Sequence, residues 1–370
     1  MIKRLIILTA IFSFYSSSQL FAQDESLPKI DSSDMAIQFI KTGNIKRDSA
    51  EVHLKNKDKK GADKLYAEAI KDYKKALKVN SKSYTAYYQM AMSFSKRKDY
   101  KNAIANFDKA IKIDTTKFIV YRERGIALAN FGKNKEAMAD FNTALDKNAD
   151  DFESFYHRGA LKEFDRNPLS ALADYERALE LNANLEEVYM KRGVLCFNKK
   201  KDYLFALSDL NKVIELNPTR NEAYYWRGKT KYNLNDFKGA DQDFSRFIEY
   251  EPENIEALIT RGASRLNLNN NSGAIRDFDD VVKLDSKNII AYMNRGIAKG
   301  ATKNYAGALE DLNRAIEIKF DYSPAYINRA AVKFASGDKK GACKDLEKAD
   351  GLNNEQALGL IQQYCTDQKH

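Results

Sequence analysis

The sequence predicts an all-α array of antiparallel helix pairs, and three observations carry that reading. Small residues stand at Ala91, Gly125, Gly159, Gly193, Gly228, Gly262, Gly296 and Ala330, 34 residues apart with one step of 35. Twelve residues after each, thirteen in one case, comes an alanine, and four further on a large apolar residue: Phe107, Phe141, Tyr175, Leu210, Phe244, Phe278, Leu312 and Leu346. Within each period the apolar residues fall twice at helical spacing, divided by a short polar break. A fixed period of this length marks stacked units, each burying its apolar face against its neighbours.

The elements follow in chain order. Met-Ile-Lys-Arg, an apolar run from Leu5 to Phe14 and a small-residue stretch ending Leu20-Phe21-Ala22-Gln23 have the layout of a secretory signal peptide, expected at residues 1–23. The run is short for a bilayer-spanning helix, and the alternative is an uncleaved anchor. No cysteine precedes Cys196, so an N-terminal lipid anchor through cysteine is not available. This places the protein outside the cytoplasm, periplasmic or secreted, with no integral membrane segment once the signal is removed. Residues 24–83 form an N-terminal segment with a divergent unit. Its first helix is expected around Ile37 to His53, and a longer polar loop, Lys55 to Lys60, leads to a second helix carrying Ala69, Tyr73 and Ala76. Eight full units fill residues 84–351. In 352–370, Ala357, Leu358, Leu360, Ile361 and Tyr364 make one more amphipathic helix, the cover that the apolar end of a stack needs.

One unit shows the logic. Val120, Tyr121, Gly125 and Leu128 form one apolar stripe, and Ala137, Met138, Phe141, Ala144 and Leu145 a second, with a break containing Gly132 between them. Glycine inside a helix costs about 1 kcal/mol relative to alanine, so six glycines at one register position need a packing reason. Close approach of the two helix axes supplies it, with Phe141 and its equivalents filling the space between pairs. The fourth unit carries one extra residue, assigned to the turn Asn198–Asp202.

An arginine precedes the small residue in seven units (Arg124, Arg158, Arg192, Arg227, Arg261, Arg295, Arg329), and an aspartate precedes the large one (Asp140, Asp174, Asp209, Asp243, Asp277, Asp311, Asp345). The unit with Met90 in place of arginine has Asn106 in place of aspartate, so the two are lost together. They are read as pairs, the alternative being an arginine ladder for an anionic ligand.

Tyr121-x2-Arg124-Gly125 with Ala137-x3-Phe141, Tyr224-x2-Arg227-Gly228 with Ala240-x3-Phe244, and Tyr292-x2-Arg295-Gly296 with Ala308-x3-Leu312 resemble the tetratricopeptide repeat. Pro218 and Pro252 stand where that family places its inter-repeat proline. The resemblance covers roughly three-quarters of the chain and implies a right-handed superhelical solenoid with a concave wall of first helices. On that wall it places a partner-binding groove of Tyr88, Arg122, Asn130, Tyr156, Phe164, Met190, Phe197, Asn198, Tyr225, Tyr232, Asn233, Leu266, Asn267 and Met293. Tyr225, Tyr232, Phe197, Asn198 and Asn233 concentrate it in the middle repeats. Tyrosine and methionine favour protein interfaces, and the asparagines suit the backbone of an extended peptide. Some of these residues would equally serve packing between adjacent first helices. The Phe-Ala-Gln ending of the leader resembles signal peptides of Bacteroidetes.

Catalytic patterns are not found. The three histidines, His53, His157 and His370, fall in no zinc-ligand spacing, no phosphate loop or nucleophile elbow occurs, and no cofactor or metal is implied. Net charge is +9, falling to +7 without the leader, and residues 54–117 alone hold 17 Lys and Arg against 7 Asp and Glu. Such a patch attracts anionic partners or is simply solvated, and export argues against nucleic acid. Cys343, in the last second helix, and Cys365, closing the cap, are positioned for a disulfide permitted by export, with Cys196 a buried thiol; three reduced core cysteines are the alternative. The expected function is a non-catalytic scaffold that binds a protein or peptide. An envelope-polymer or carbohydrate-binding module, or the non-catalytic subunit of an envelope enzyme complex, is the rival.

Overall fold

A computed structural model describes residues 31–365; the leader expected at residues 1–23 lies outside them. All regular structure among the described residues is helical, and they divide into two compact units between Thr115 and Thr116.

Unit 1 holds α1 (Ser32–Lys55), α2 (Lys59–Val79), α3 (Tyr84–Lys96) and α4 (Tyr100–Ile113), with α1 on α2, α2 on α3 and α3 on α4. The longer loop expected near Lys55–Lys60 is a turn of Asn56, Lys57 and Asp58. The Asp58 carboxylate accepts from the Gly61 amide at 2.9 Å and starts α2 at once, so Lys59 and Lys60 are helical. Polar composition there marks an exposed first turn. The divergence lies in helix length: α1 begins at Ser32, where Asp31 caps it, rather than near Ile37.

Unit 2 continues as α5 (Phe118–Asn130) with α6 (Asn134–Lys147), α7 (Phe152–Phe164) with α8 (Pro168–Leu181), α9 (Glu186–Leu195) with α10 (Tyr203–Leu216), and α11 (Asn221–Asn233) with α12 (Phe237–Ile248). After them come α13 (Ile255–Asn267) with α14 (Asn271–Leu284), α15 (Ile289–Ala301) with α16 (Tyr305–Ile318), α17 (Ser323–Ala335) with α18 (Lys339–Asp350), and the single α19 (Glu355–Tyr364). Each pair packs within itself and on the next. The turns share one design: a residue in the left-handed region, Gly132 at φ 83° and Asn235 at φ 60° among them, then in most turns an Asp or Asn whose side chain caps the second helix.

The α9–α10 pair departs from expectation. Its extra residue does not lengthen a turn. Cys196–Lys200 winds as a π-helical turn at the end of α9, and left-handed Lys201 leads out of it. A π-turn absorbs one residue without breaking the helix, which keeps α9 in register with its neighbours.

The register glycines have a more specific reason than close axes. A methyl on Gly125 would lie 2.8 Å from Cε1 of Phe141, and one on Gly262 2.7 Å from Cζ of Phe278. The large side chain of the second helix lies flat on the glycine of its own first helix. The Phe141 ring also stacks on His157 of the next pair at 5.8 Å, so it joins neighbours as well. Phe141, Tyr175, Leu210, Phe244, Phe278, Leu312 and Leu346 are all fully buried.

Every expected arginine of the seven meets its aspartate through two parallel hydrogen bonds, with N–O distances of 2.5 to 3.2 Å. The guanidinium forks are thus filled by protein carboxylates, which removes the anion-ladder alternative. Two further partners went unread in the sequence. A second cation four residues on reaches the same carboxylate in five pairs: Lys162, Lys231, Arg265, Lys299 and Lys333, at 2.7 or 2.8 Å. The remaining arginine nitrogen reaches back to the second helix of the preceding pair, as in Arg227 to Asn211 (3.0 Å), Arg295 to Asp279 (2.7 Å) and Arg329 to Asn313 (2.6 Å). Burial holds the Asp209 and Asp277 carboxyls above their ordinary range in spite of these partners.

Cys343 on α18 and Cys365 after α19 are joined by a disulfide, with Cα atoms 5.8 Å apart. Cys196 is a buried free thiol, pushed up to about 11 by burial first and Asp209 second. α19 covers the last pair through Leu360 and Ile361 and leaves an apolar cavity of about 530 Å3 between Ile327, Ala330, Phe334, Leu346, Leu360 and Tyr364.

Candidate functional site

The groove residues expected from sequence lie on first helices, except Phe197 and Asn198 on the π-turn after α9, and in unit 2 first helices stand side by side, α5 against α7 and α11 through α13 and α15 to α17. Their surroundings sort them into distinct roles. Arg122 is not free for a ligand: it holds Asp151 at 2.7 Å, Glu153 at 2.5 Å and Glu123 at 3.2 Å, and so ties α5 to the start of α7. Met190 and Phe197 are not surface groups. Met190 packs with Leu210, Val213 and Ala223, and Phe197 lies under Trp226 and Tyr203. Phe197 meets the Trp226 and Tyr203 rings at 5.5 and 5.3 Å between centroids. Leu266 and Met293 are half-buried against the Phe278 and Leu312 clusters.

The asparagines are exposed, yet Asn130, Asn233 and Asn267 each donate one amide hydrogen to their own helix four residues back, at 2.8 Å. They finish the first helix. Asn198 occupies the π-turn and leaves that column.

In the middle repeats the aromatic cluster is internally occupied. Lys229 places its ammonium 4.9 Å from the Trp226 ring centroid, 5.2 Å from Tyr225 and 5.6 Å from Phe197, and 2.6 Å from the Glu256 carboxylate. Tyr225 donates to the same Glu256 at 2.6 Å, and Tyr232 stands against Phe237. Sequence reading passed over Lys229; its signal is a lysine three places after the one tryptophan and four after a tyrosine.

What remains open is the face between α5 and α7. Phe164 is 73% exposed at its rim, and Ile126, Ala129, Asn130, His157, Ala160 and Leu161 line a cavity of about 650 Å3. On the other side of His157, Tyr156 lines a second cavity of about 410 Å3 with Asn184, Glu186 and Glu187. Tyr88 belongs to unit 1, where it lines a smaller cavity with Arg47, Gln89 and Met92.

His157 stands between the two cavities of unit 2. Burial, and then Arg122, lower its pKa from 6.5 to about 4 against the opposing pull of Asp151. The folded value lies below the unfolded one, so the neutral ring's stability is complete above pH 6.5 and drains as pH falls towards 4. Wild type is expected to lose up to about 3 kcal/mol over that window through this group. A His157→Phe variant should lose that much less; parallel urea midpoints for the two chains at each pH would reject the assignment.

Three models of the tetratricopeptide repeat match residues 84–117, 222–254 and 259–324, in both units and in register with the helix pairs. The chain is a tetratricopeptide repeat protein. Solved structures resemble it in fold. PilF of Pseudomonas aeruginosa aligns over 60% of this chain and 94% of its own, with 17% identity and a TM-score of 0.51. YrrB, described as a tetratricopeptide protein with an unusual peptide-binding site, aligns over 50% and 95%, with 25% identity and a TM-score of 0.48. The C-terminal part of a tetratricopeptide protein from Cytophaga hutchinsonii aligns over 74% and 98%, with 19% identity and a TM-score of 0.47. A comparison with curated proteins finds no significant match. A tetratricopeptide array is in general a protein-interaction scaffold without catalytic function, and four of this chain's helix pairs fall in the matched residues. No described helix is long and apolar enough to cross a membrane.

Proposed function

We propose that this tetratricopeptide protein is an exported adaptor that binds an extended polypeptide across α5 and α7. The observation that supports the site is Phe164: a ring nearly three-quarters exposed beside an apolar cavity, where every other aromatic of the expected groove packs against protein. Exposed aromatics at the edge of a concave apolar site are the anchors that dominate protein recognition. The second amide hydrogen and the carbonyl oxygen of Asn130 stand beside the cavity for a peptide backbone. Export is supported by the leader pattern of residues 1–23 and by a disulfide, which persists in oxidising compartments.

The double variant Phe164→Ala with Asn130→Ala is expected to lose partner capture by about tenfold or more and keep wild-type helicity, as truncation of an aromatic anchor costs ~2 kcal/mol. A photo-crosslinker at position 164 in native cells reads the partner, and fractionation the compartment. Crosslinking to glycan alone, with no polypeptide, would move the site to the polymer-binding reading.

A further inference from the structure

Two positions on each second helix lie opposite the buried large residue, two and five places after it. In unit 2, five successive second helices fill them with a cation and a carboxylate in contact: Arg177–Glu180, Lys212–Glu215, Arg246–Glu249, Lys283–Asp280 and Arg314–Glu317, at 2.6 to 3.0 Å. In unit 1 the same positions are Lys75 and Lys78 on α2, and Lys109 and Lys112 on α4, of which Lys75 pairs with the buried Asp72 at 3.0 Å and Lys109 lies over the Tyr87 ring. A second lysine stands where the carboxylate would be, in both helices. The α2 face extends the pattern through Lys60, Lys64, Lys71, Lys74 and Lys78, all exposed, over about 27 Å at 1.5 Å per residue. The acids nearby do not offset it. Asp63 is taken by Arg97 at 2.8 Å, Asp72 is buried under Lys46 and Lys75, and Glu68 alone shares the edge of the stripe. Residues 31–115 hold 19 Lys and Arg against 11 Asp and Glu, whereas residues 116–365 hold 38 of each.

The composition of this face selects the kind of partner. Protein interfaces are anchored by Trp, Tyr and Arg in pockets and are depleted in lysine. The stripe has no such anchor, and a cavity of unit 1 is lined from α1 and α3, by Arg47, Glu51, Tyr88, Gln89, Met92 and Lys96. Unfastened lysines spread along an exposed helix suit a diffuse sheet of negative charge, to which each contributes about fivefold in partitioning when near the surface. We propose that the outer face of α2 and α4 docks unit 1 on an anionic phospholipid bilayer.

The test compares the full chain with two charge-reversed variants. One is Lys71→Glu, Lys74→Glu and Lys78→Glu; the other, Arg177→Glu, Arg246→Glu and Arg314→Glu, makes the same charge change on unit 2. All carry the same residues 1–30, so differences between them report the faces alone. Sedimentation with vesicles of about one-third phosphatidylglycerol in phosphatidylcholine, at low salt, is expected to show at least tenfold weaker partition for the first variant and little change for the second. Wild-type binding should fall steeply with salt and vanish on pure phosphatidylcholine. Should the glutamate set lose helicity, the same lysines changed to glutamine must lower partition in the same direction. Undiminished binding by the unit 1 variant, equal loss in both, no binding by wild type, or tighter binding to polyglutamate or duplex DNA than to the vesicles overturns the proposal.

Discussion

Asp243→Ala is expected to be among the most damaging single substitutions in the array. Asp243 is 3% exposed and accepts two bonds from Arg227 and a third contact from Lys231 at 2.8 Å. Removing it leaves two largely buried cations facing each other with no carboxylate, the situation that costs about 3–5 kcal/mol. Glu249→Ala, a few residues along the same chain, removes one partner of an exposed pair with Arg246 and should cost about 0–1 kcal/mol. Urea denaturation of both variants measures the gap, and coincident midpoints would show that the ladder carries no stability. The triple change Asp243→Leu, Arg227→Met, Lys231→Met should restore part of the loss, because the penalty lies in uncompensated charge.

Opening the Cys343–Cys365 disulfide is expected to release α19. The bond closes a loop with a sequence separation of 22, worth about 3 kcal/mol in the chain-entropy account. The helix it holds is ten residues long and buries Ala357 alone completely, so little else retains it. Cys365→Ser should raise amide exchange across Glu355–Tyr364, expose the Ile327, Ala330 and Phe334 wall to a hydrophobic dye, and leave exchange in α11 to α14 unaltered. Unfolded, unreduced wild type should present one reactive thiol, Cys196; three would remove the bond on which the expectation rests.

The parts legible in the sequence were those enforced by close packing. Gly262 faces the Phe278 ring and Arg261 faces Asp277, so a substitution at either is felt by a neighbour, and the register shows through every unit. The parts that were illegible arise where one residue serves two contexts. Phe197 occupies a groove position by count but is buried with Trp226 and Tyr203, a contact the repeat pattern does not announce. Asn130, Asn233 and Asn267 each spend one amide hydrogen on a carbonyl one turn back, a helix-end contact that the groove count does not include. Lys162, Lys231 and Lys299 carry no mark in the repeat pattern, but long stems bring their charge to a buried carboxylate. In the middle repeats Tyr225 and Trp226 are claimed by Lys229, a contact that no periodicity announces.

The backward reach of the register arginines bears on how unit 2 comes apart. A stack held by apolar contact alone can fray unit by unit, with each boundary an independent weak point. Here Arg227, Arg261, Arg295 and Arg329 each grip both their own second helix and the one before, so α10 to α18 share their polar contacts in an unbroken series. Arg192 lacks that backward bond: its guanidinium is spent on Asp209 and on the faces of Tyr189 and Phe205, next to the π-turn. The stiffness of the array is therefore uneven. Strain applied along it would concentrate at the α8–α9 seam, leaving a long C-terminal block to move as one lever.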